Sequence, residues 1–120
     1  MNENKYSWHK IADSISEISW QENGLFEIEV KGKKICLAKQ EHRLYACTNK
    51  CPHAGGRISD GYVDAKGDIV CPLHRYRFSL ENGRNTSGEG YYLKTYKIEE
   101  RVNGIYIGIE EGKGILGWLG

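Results

Sequence analysis

The sequence predicts an all-β domain of antiparallel strands, and three observations carry that prediction. The chain of 120 residues holds fifteen glycines and eight tyrosines but only two prolines. That composition favours turns and strands over a helical bundle. Apolar and polar residues alternate with a period of two near both ends of the chain. An Asn-Gly pair, Asn103-Gly104, stands between two such runs, as it would in a tight hairpin.

A chain of this length is one domain's worth, and residues 1–120 are read as a single domain. Apolar residues make up 39% and charged residues 28%, in the range of soluble globular domains. Seventeen Lys and Arg against sixteen Asp and Glu leave a formal charge of +1. That balance offers no electrostatic case for nucleic acid or membrane binding. No apolar run approaches the roughly 20 residues of a spanning helix, and Met1 to Lys10 is too polar for a secretory leader. A cytoplasmic location is expected. There, cysteines are read first as ligands or buried thiols and only then as disulfides.

Taken in order, Ser14 and Glu17 have capping-box spacing and predict one or two helical turns between Ala12 and Ile18. Phe26, Ile28 and Val30 alternate with Glu27, Glu29 and Lys31, predicting a half-buried strand from Leu25. A turn at Lys31-Gly32-Lys33, a strand with Ile35 and Leu37, a turn at Glu41-His42-Arg43 and a strand from Leu44 to Cys47 follow. Thr48 to Gly90 then reads as a loop-rich insert with little core of its own, and a stretch that long needs a staple. Strand alternation returns at Tyr92, Tyr96 and Ile98. Val102 to Ile105 is the predicted hairpin, and Ile105, Ile107 and Ile109 share one face. The tail from Glu110 to Gly120 carries Ile115, Leu116, Trp118 and Leu119, expected to dock on the domain.

The insert supplies its own staple. Cys51-Pro52-His53 and Cys71-Pro72-Leu73-His74 are separated by seventeen residues. Each pair is close enough for one tight loop to present both side chains. Two facing loops would offer two thiolates and two imidazoles to a metal centre. A Cys2His2 zinc site is the main competing reading. Structural zinc sites usually space each pair by two or more residues, and Cys51 and His53 are separated by one. A disulfide between Cys51 and Cys71 would leave both histidines without a role.

The pattern C-x-H followed by C-x-x-H resembles the Rieske [2Fe–2S] motif, and Gly55-Gly56, Asp60-Gly61 and Phe78 through Asn82-Gly83 look like its framework. The resemblance covers roughly Trp8 to Ile109. It implies a β-sandwich base built from the N- and C-terminal segments, with a cluster-binding subdomain inserted at about 48–90. It also implies that Cys51 and Cys71 hold one iron of the cluster and His53 and His74 the other. The implied function is that of a soluble ferredoxin, with a reductase as donor and a Rieske-type oxygenase as acceptor, and with no chemistry on a substrate of its own. A small subunit of a nitrite-reductase-like complex, an iron–sulfur sensor and a zinc-stapled interaction module are the alternatives.

High-potential relatives place a Ser hydroxyl and a Tyr hydroxyl two and four residues after the last ligand. Those positions are Tyr76 and Phe78 here. Fewer donors to the sulfurs imply a potential near the lower end of the Rieske range, about −150 mV. The inter-loop disulfide of those relatives would sit at Gly56 and Leu73, so none is expected. Arg75 replaces a glycine common in related ferredoxins, and its backbone is expected to resist a positive φ. Cys36 and Cys47 are expected as buried thiols. Six basic residues against four acidic between Thr48 and Asn85 are read as an ordinary solvated surface, with a mildly positive rim as the sharper alternative.

Overall fold

The computed structural model describes residues 5–53, 55–88 and 90–111. The apolar tail residues Ile115 to Leu119 lie outside these described residues. Six strands form one antiparallel sheet in the order β1-β9-β8-β4-β3-β2. They are β1 (Tyr6–Ala12), β2 (Leu25–Val30), β3 (Lys33–Gln40), β4 (Arg43–Thr48), β8 (Thr95–Arg101) and β9 (Gly104–Glu110). Between β4 and β8 the chain forms a second, three-stranded antiparallel sheet from β5 (Tyr62–Val63), β6 (Asp68–Val70) and β7 (Arg77–Ser79). The expected lack of core in the insert is corrected by this sheet, which buries Ile69, Val70 and Phe78 completely.

The six-stranded sheet is hinged at its centre, where β4 and β8 share only two residue pairs, Ala46↔Tyr96 and Cys47↔Thr95. Its two halves close on Ile35, Leu37, Leu44, Ala46, Ile105, Ile107 and Ile109, joined by Ala12 and Ile18. This is the sandwich core. A second cluster lies on the other side of β3 and β4. There Leu25, Cys36, Ala38 and Cys47 pack with Ile58, Ile69, Phe78, Leu80, Leu93, Cys51 and Cys71. Strand β3 therefore sends Ile35 and Leu37 to one core and Cys36 and Ala38 to the other. Its period-two pattern is masked because both faces are buried.

The turns follow from local chemistry. Lys31 and Gly32 both take positive φ, 53° and 77°, as a type I′ connection between β2 and β3 requires. The β8–β9 hairpin differs from expectation by one residue. Arg101 pairs with Gly104, so Val102 and Asn103 form the loop, and neither has positive φ. Gly104 is needed for another reason. A Cβ there would lie 2.8 Å from the Ala12 carbonyl oxygen of β1 and 2.6 Å from Lys10 Cε. The expected helical turns shrink to a 3-10 turn at Ile15–Glu17, and Ser14 makes no side-chain cap. Instead Glu17 Oε1 accepts the Asp13 N–H at 2.6 Å. Strand β1, along the β9 edge, had no counterpart in the sequence reading, which took this segment only as polar.

Ile107 is fully buried between the two halves of the sheet. Ile107→Ala is expected to destabilise the protein by about 2–5 kcal/mol. Denaturant unfolding would read this as a lower midpoint at unchanged slope.

Candidate metal centre

Two loops meet at one end of the three-stranded sheet. The first leaves β4 and is tied at its neck: Gly55 N–H donates to the Cys51 carbonyl at 2.9 Å, and Cys51 N–H donates to the Gly56 carbonyl at 2.8 Å. The second joins β6 to β7 and closes where Cys71 N–H donates to the Tyr76 carbonyl at 2.9 Å. Each cysteine thus sits at a loop base, on the end of an ordered strand or its continuation, and both are buried. The histidines sit further out. His53 is half-buried and His74 is exposed.

The four residues arrange as two pairs. The Cys51 and Cys71 side chains are both buried in the same apolar cluster. The His53 and His74 rings stand edge to face with centroids 5.3 Å apart. No group of three or more His, Cys, Asp or Glu among the described residues gathers as a single-ion site. Burial pushes the Cys71 thiol up from 9.0 to about 11, helped by Cys51 and opposed by the Leu73 N–H. His53 Nδ1 is buried and has no hydrogen-bond partner among the described residues. Buried polar nitrogens rarely stay unsatisfied, so an orphaned ring nitrogen at this place fits a metal-binding site. Paired soft donors at the loop bases and paired imidazoles beyond them fit a two-iron cluster with mixed ligation.

Several contacts hold this geometry. Gly56 is where the loops touch. A Cβ there would lie 2.9 Å from Leu73 Cγ and Cδ1 and 3.5 Å from Cys71 Sγ. Apolar contact therefore occupies the place of the inter-loop bridge of high-potential relatives, and all four cysteines are free. The expected resistance of Arg75 is overruled by the fold. His74 and Arg75 take consecutive left-handed φ values of 64° and 58°, a strain of about 1–3 kcal/mol each that the surrounding hydrogen bonds must hold. Cys47 pairs with Cys36 across β3 and β4 and shares the buried cluster beneath the loops with Cys51 and Cys71. Contact with Cys36 together with burial raises its thiol well above the ordinary value.

Two features were missed in the sequence. Asn49 is nearly fully buried and accepts the Ser59 N–H at 2.7 Å while donating to Ser59 Oγ and Glu27 Oε2, each at 2.9 Å. It pins the start of the first loop, and an isolated Asn in a polar stretch gave no signal of this. Tyr76 was considered only as a lost Ser. Its hydroxyl lies 3.1 Å from His53 Nε2, its ring stacks on His53 at 4.0 Å, and Tyr91 flanks His53 at 5.1 Å.

Asn49→Ala leaves the Ser59 N–H buried without its acceptor, and a loss of about 1–3 kcal/mol is expected in thermal or denaturant unfolding. For the metal-free chain, a thiol raised from 9.0 to about 11 keeps its proton in the fold while the unfolded chain loses it. Stability should therefore fall as pH rises from about 9 to about 11, the unfolded state binding fewer protons there. Unfolding midpoints measured across that range check this.

A family model described as the Rieske [2Fe-2S] domain matches residues 7–97. The ferredoxin component of the naphthalene 1,2-dioxygenase system of Pseudomonas aeruginosa is 35% identical over 91 residues, covering 75% of this chain and 86% of that protein. The ferredoxin of carbazole 1,9a-dioxygenase from Nocardioides aromaticivorans IC177 superposes with a TM-score of 0.70 at 21% identity, covering 82% of this chain and 95% of that one. A Mycobacterium tuberculosis chain assigned as an NADH-dependent nitrite reductase small subunit superposes with a TM-score of 0.77 at 16% identity, covering 90% of this chain and 99% of that one. The last two likenesses are of fold. With four donors paired on two facing loops and the family match spanning both of them, the chain belongs to the Rieske [2Fe-2S] domain family.

Proposed function

We propose that this chain is a one-electron carrier that holds its [2Fe-2S] cluster through Cys51, His53, Cys71 and His74 and passes electrons from a reductase to a terminal oxygenase or similar acceptor. The observation that carries the reading is a buried His53 Nδ1, without a hydrogen-bond partner among the described residues, on a loop whose base is the buried Cys51 and which meets the loop of the buried Cys71. Such a cluster supplies a one-electron couple. The chain's own residues do the rest. Burial of Cys51 and Cys71 keeps water from the sulfur side. Exposure of His74 leaves the imidazole side as the edge where a partner can approach. The oxygenase partner is supported by the name of the naphthalene dioxygenase relative, a ferredoxin component rather than an oxygenase.

The reading extends to a single domain over 1–120 in which about 48–90 bears the cluster. It also extends to a cytoplasmic location, which suits four free cysteines. No helix among the described residues is long and apolar enough to cross a membrane.

The hydrogen bonds bear on the potential. Phe78 is fully buried and has no hydroxyl to donate. Purified protein is expected to hold two irons and two acid-labile sulfides per chain and to take up one electron near −150 mV. One zinc with no sulfide would overturn the carrier reading, and a potential well above zero would overturn the account of its tuning.

A further inference from the structure

The two histidines are not equivalent. His53 is half-buried between two tyrosines, with its distal nitrogen 3.1 Å from the Tyr76 hydroxyl oxygen. The Tyr76 ring lies nearly parallel to it, 27° between planes at 4.0 Å, and Tyr91 closes the space at 5.1 Å. His74 is exposed, and its contact with Tyr76 is a distant, tilted one at 6.3 Å. One tyrosine therefore fixes both the plane of His53 and the use of one of its nitrogens.

We propose that Tyr76 is a positioning residue for His53: its hydroxyl engages Nε2, so that Nδ1 is the nitrogen left facing the cluster, while His74 is the histidine whose distal nitrogen faces a partner. This rests on the assignment of His53 as a ligand. An imidazole has two nitrogens. With Nδ1 committed to iron, the ring proton is on Nε2 and is donated to the Tyr76 oxygen. Donation from the far nitrogen makes the near one a stronger donor to the metal. A stronger donor stabilises the ferric state over the ferrous one and lowers the potential. The hydroxyl thus acts in the same direction as the lack of a hydroxyl at Phe78, through a different atom.

Tyr76→Phe keeps the stacked ring and removes only the hydroxyl. The holoprotein is measured for iron, acid-labile sulfide, reduction potential and the nitrogen hyperfine couplings of the reduced signal in pulsed EPR. The expected variant keeps a full cluster and favours reduction by a factor of up to about ten, equivalent to about 59 mV for one electron. One of its two histidine nitrogen couplings changes. Placing 3-fluorotyrosine at position 76 keeps the hydroxyl but makes its oxygen a poorer acceptor, and a smaller shift of the same sign is expected. Tyr92→Phe, at an exposed position outside the site, should shift nothing. A Tyr76→Phe protein with full cluster, unchanged potential and unchanged couplings overturns the proposal. A wild-type reduced signal with no histidine nitrogen coupling overturns the ligand assignment beneath it.

Discussion

The closure of the first cysteine loop onto the second is the contact on which the rest of the structure depends. It is made where Gly56 lies under Leu73, so close that a Cβ there would have to displace the Leu73 side chain. Neither loop has enough apolar surface to hold itself. The first is anchored from below by Asn49 on Ser59, and the second by the hydrogen bond from Cys71 to the Tyr76 carbonyl. Beneath both, Cys51 and Cys71 are part of the same apolar cluster as Cys36, Ala38 and Cys47 of the sandwich. The sandwich thus supplies a floor, and the loops borrow its core to hold donors that have few partners of their own. The strained backbone at His74 and Arg75 is sustained by that same framework.

Electrostatics at this end are milder than a count of charges suggests. Arg57 reaches Glu27 and Asp60, and Arg77 reaches Asp64 at 3.2 Å. Such exposed pairs add little stability, and Glu27 brings one further negative charge to this end from β2. Arg75 is left as an exposed cation beside the exposed histidine. Lys50, Lys66 and Arg84 are likewise exposed cations of this stretch.

Much of the fold was legible because half-buried strands write their period into the sequence. Phe26, Ile28 and Val30 announced β2, and Ile105, Ile107 and Ile109 announced β9. Strand β1 was not legible, since an edge strand paired on one side can be polar along much of its length. The small sheet of β5, β6 and β7 was hidden by strands of two or three residues, too short to show any period. The Asn-Gly signal located a hairpin correctly but misplaced its turn, because Gly104 answers to β1 packed against it rather than to the turn. At the site, the two Cys-His pairs proposed as donors stand out through their spacing and its resemblance to a known motif. Asn49, Tyr76 and Tyr91 do not, because their roles depend on neighbours 10 to 38 residues away in the chain.

The account stands or falls on two unlike irons, one held by the cysteines and one by the histidines. Mössbauer spectroscopy of protein enriched in 57Fe tests this directly, oxidised and after uptake of one electron. Two ferric quadrupole doublets of equal area are predicted in the oxidised protein, and only one of them should become ferrous on reduction, with the larger isomer shift of mixed nitrogen and sulfur ligation. A single doublet typical of four thiolates around each iron, or no bound iron at all, would contradict it.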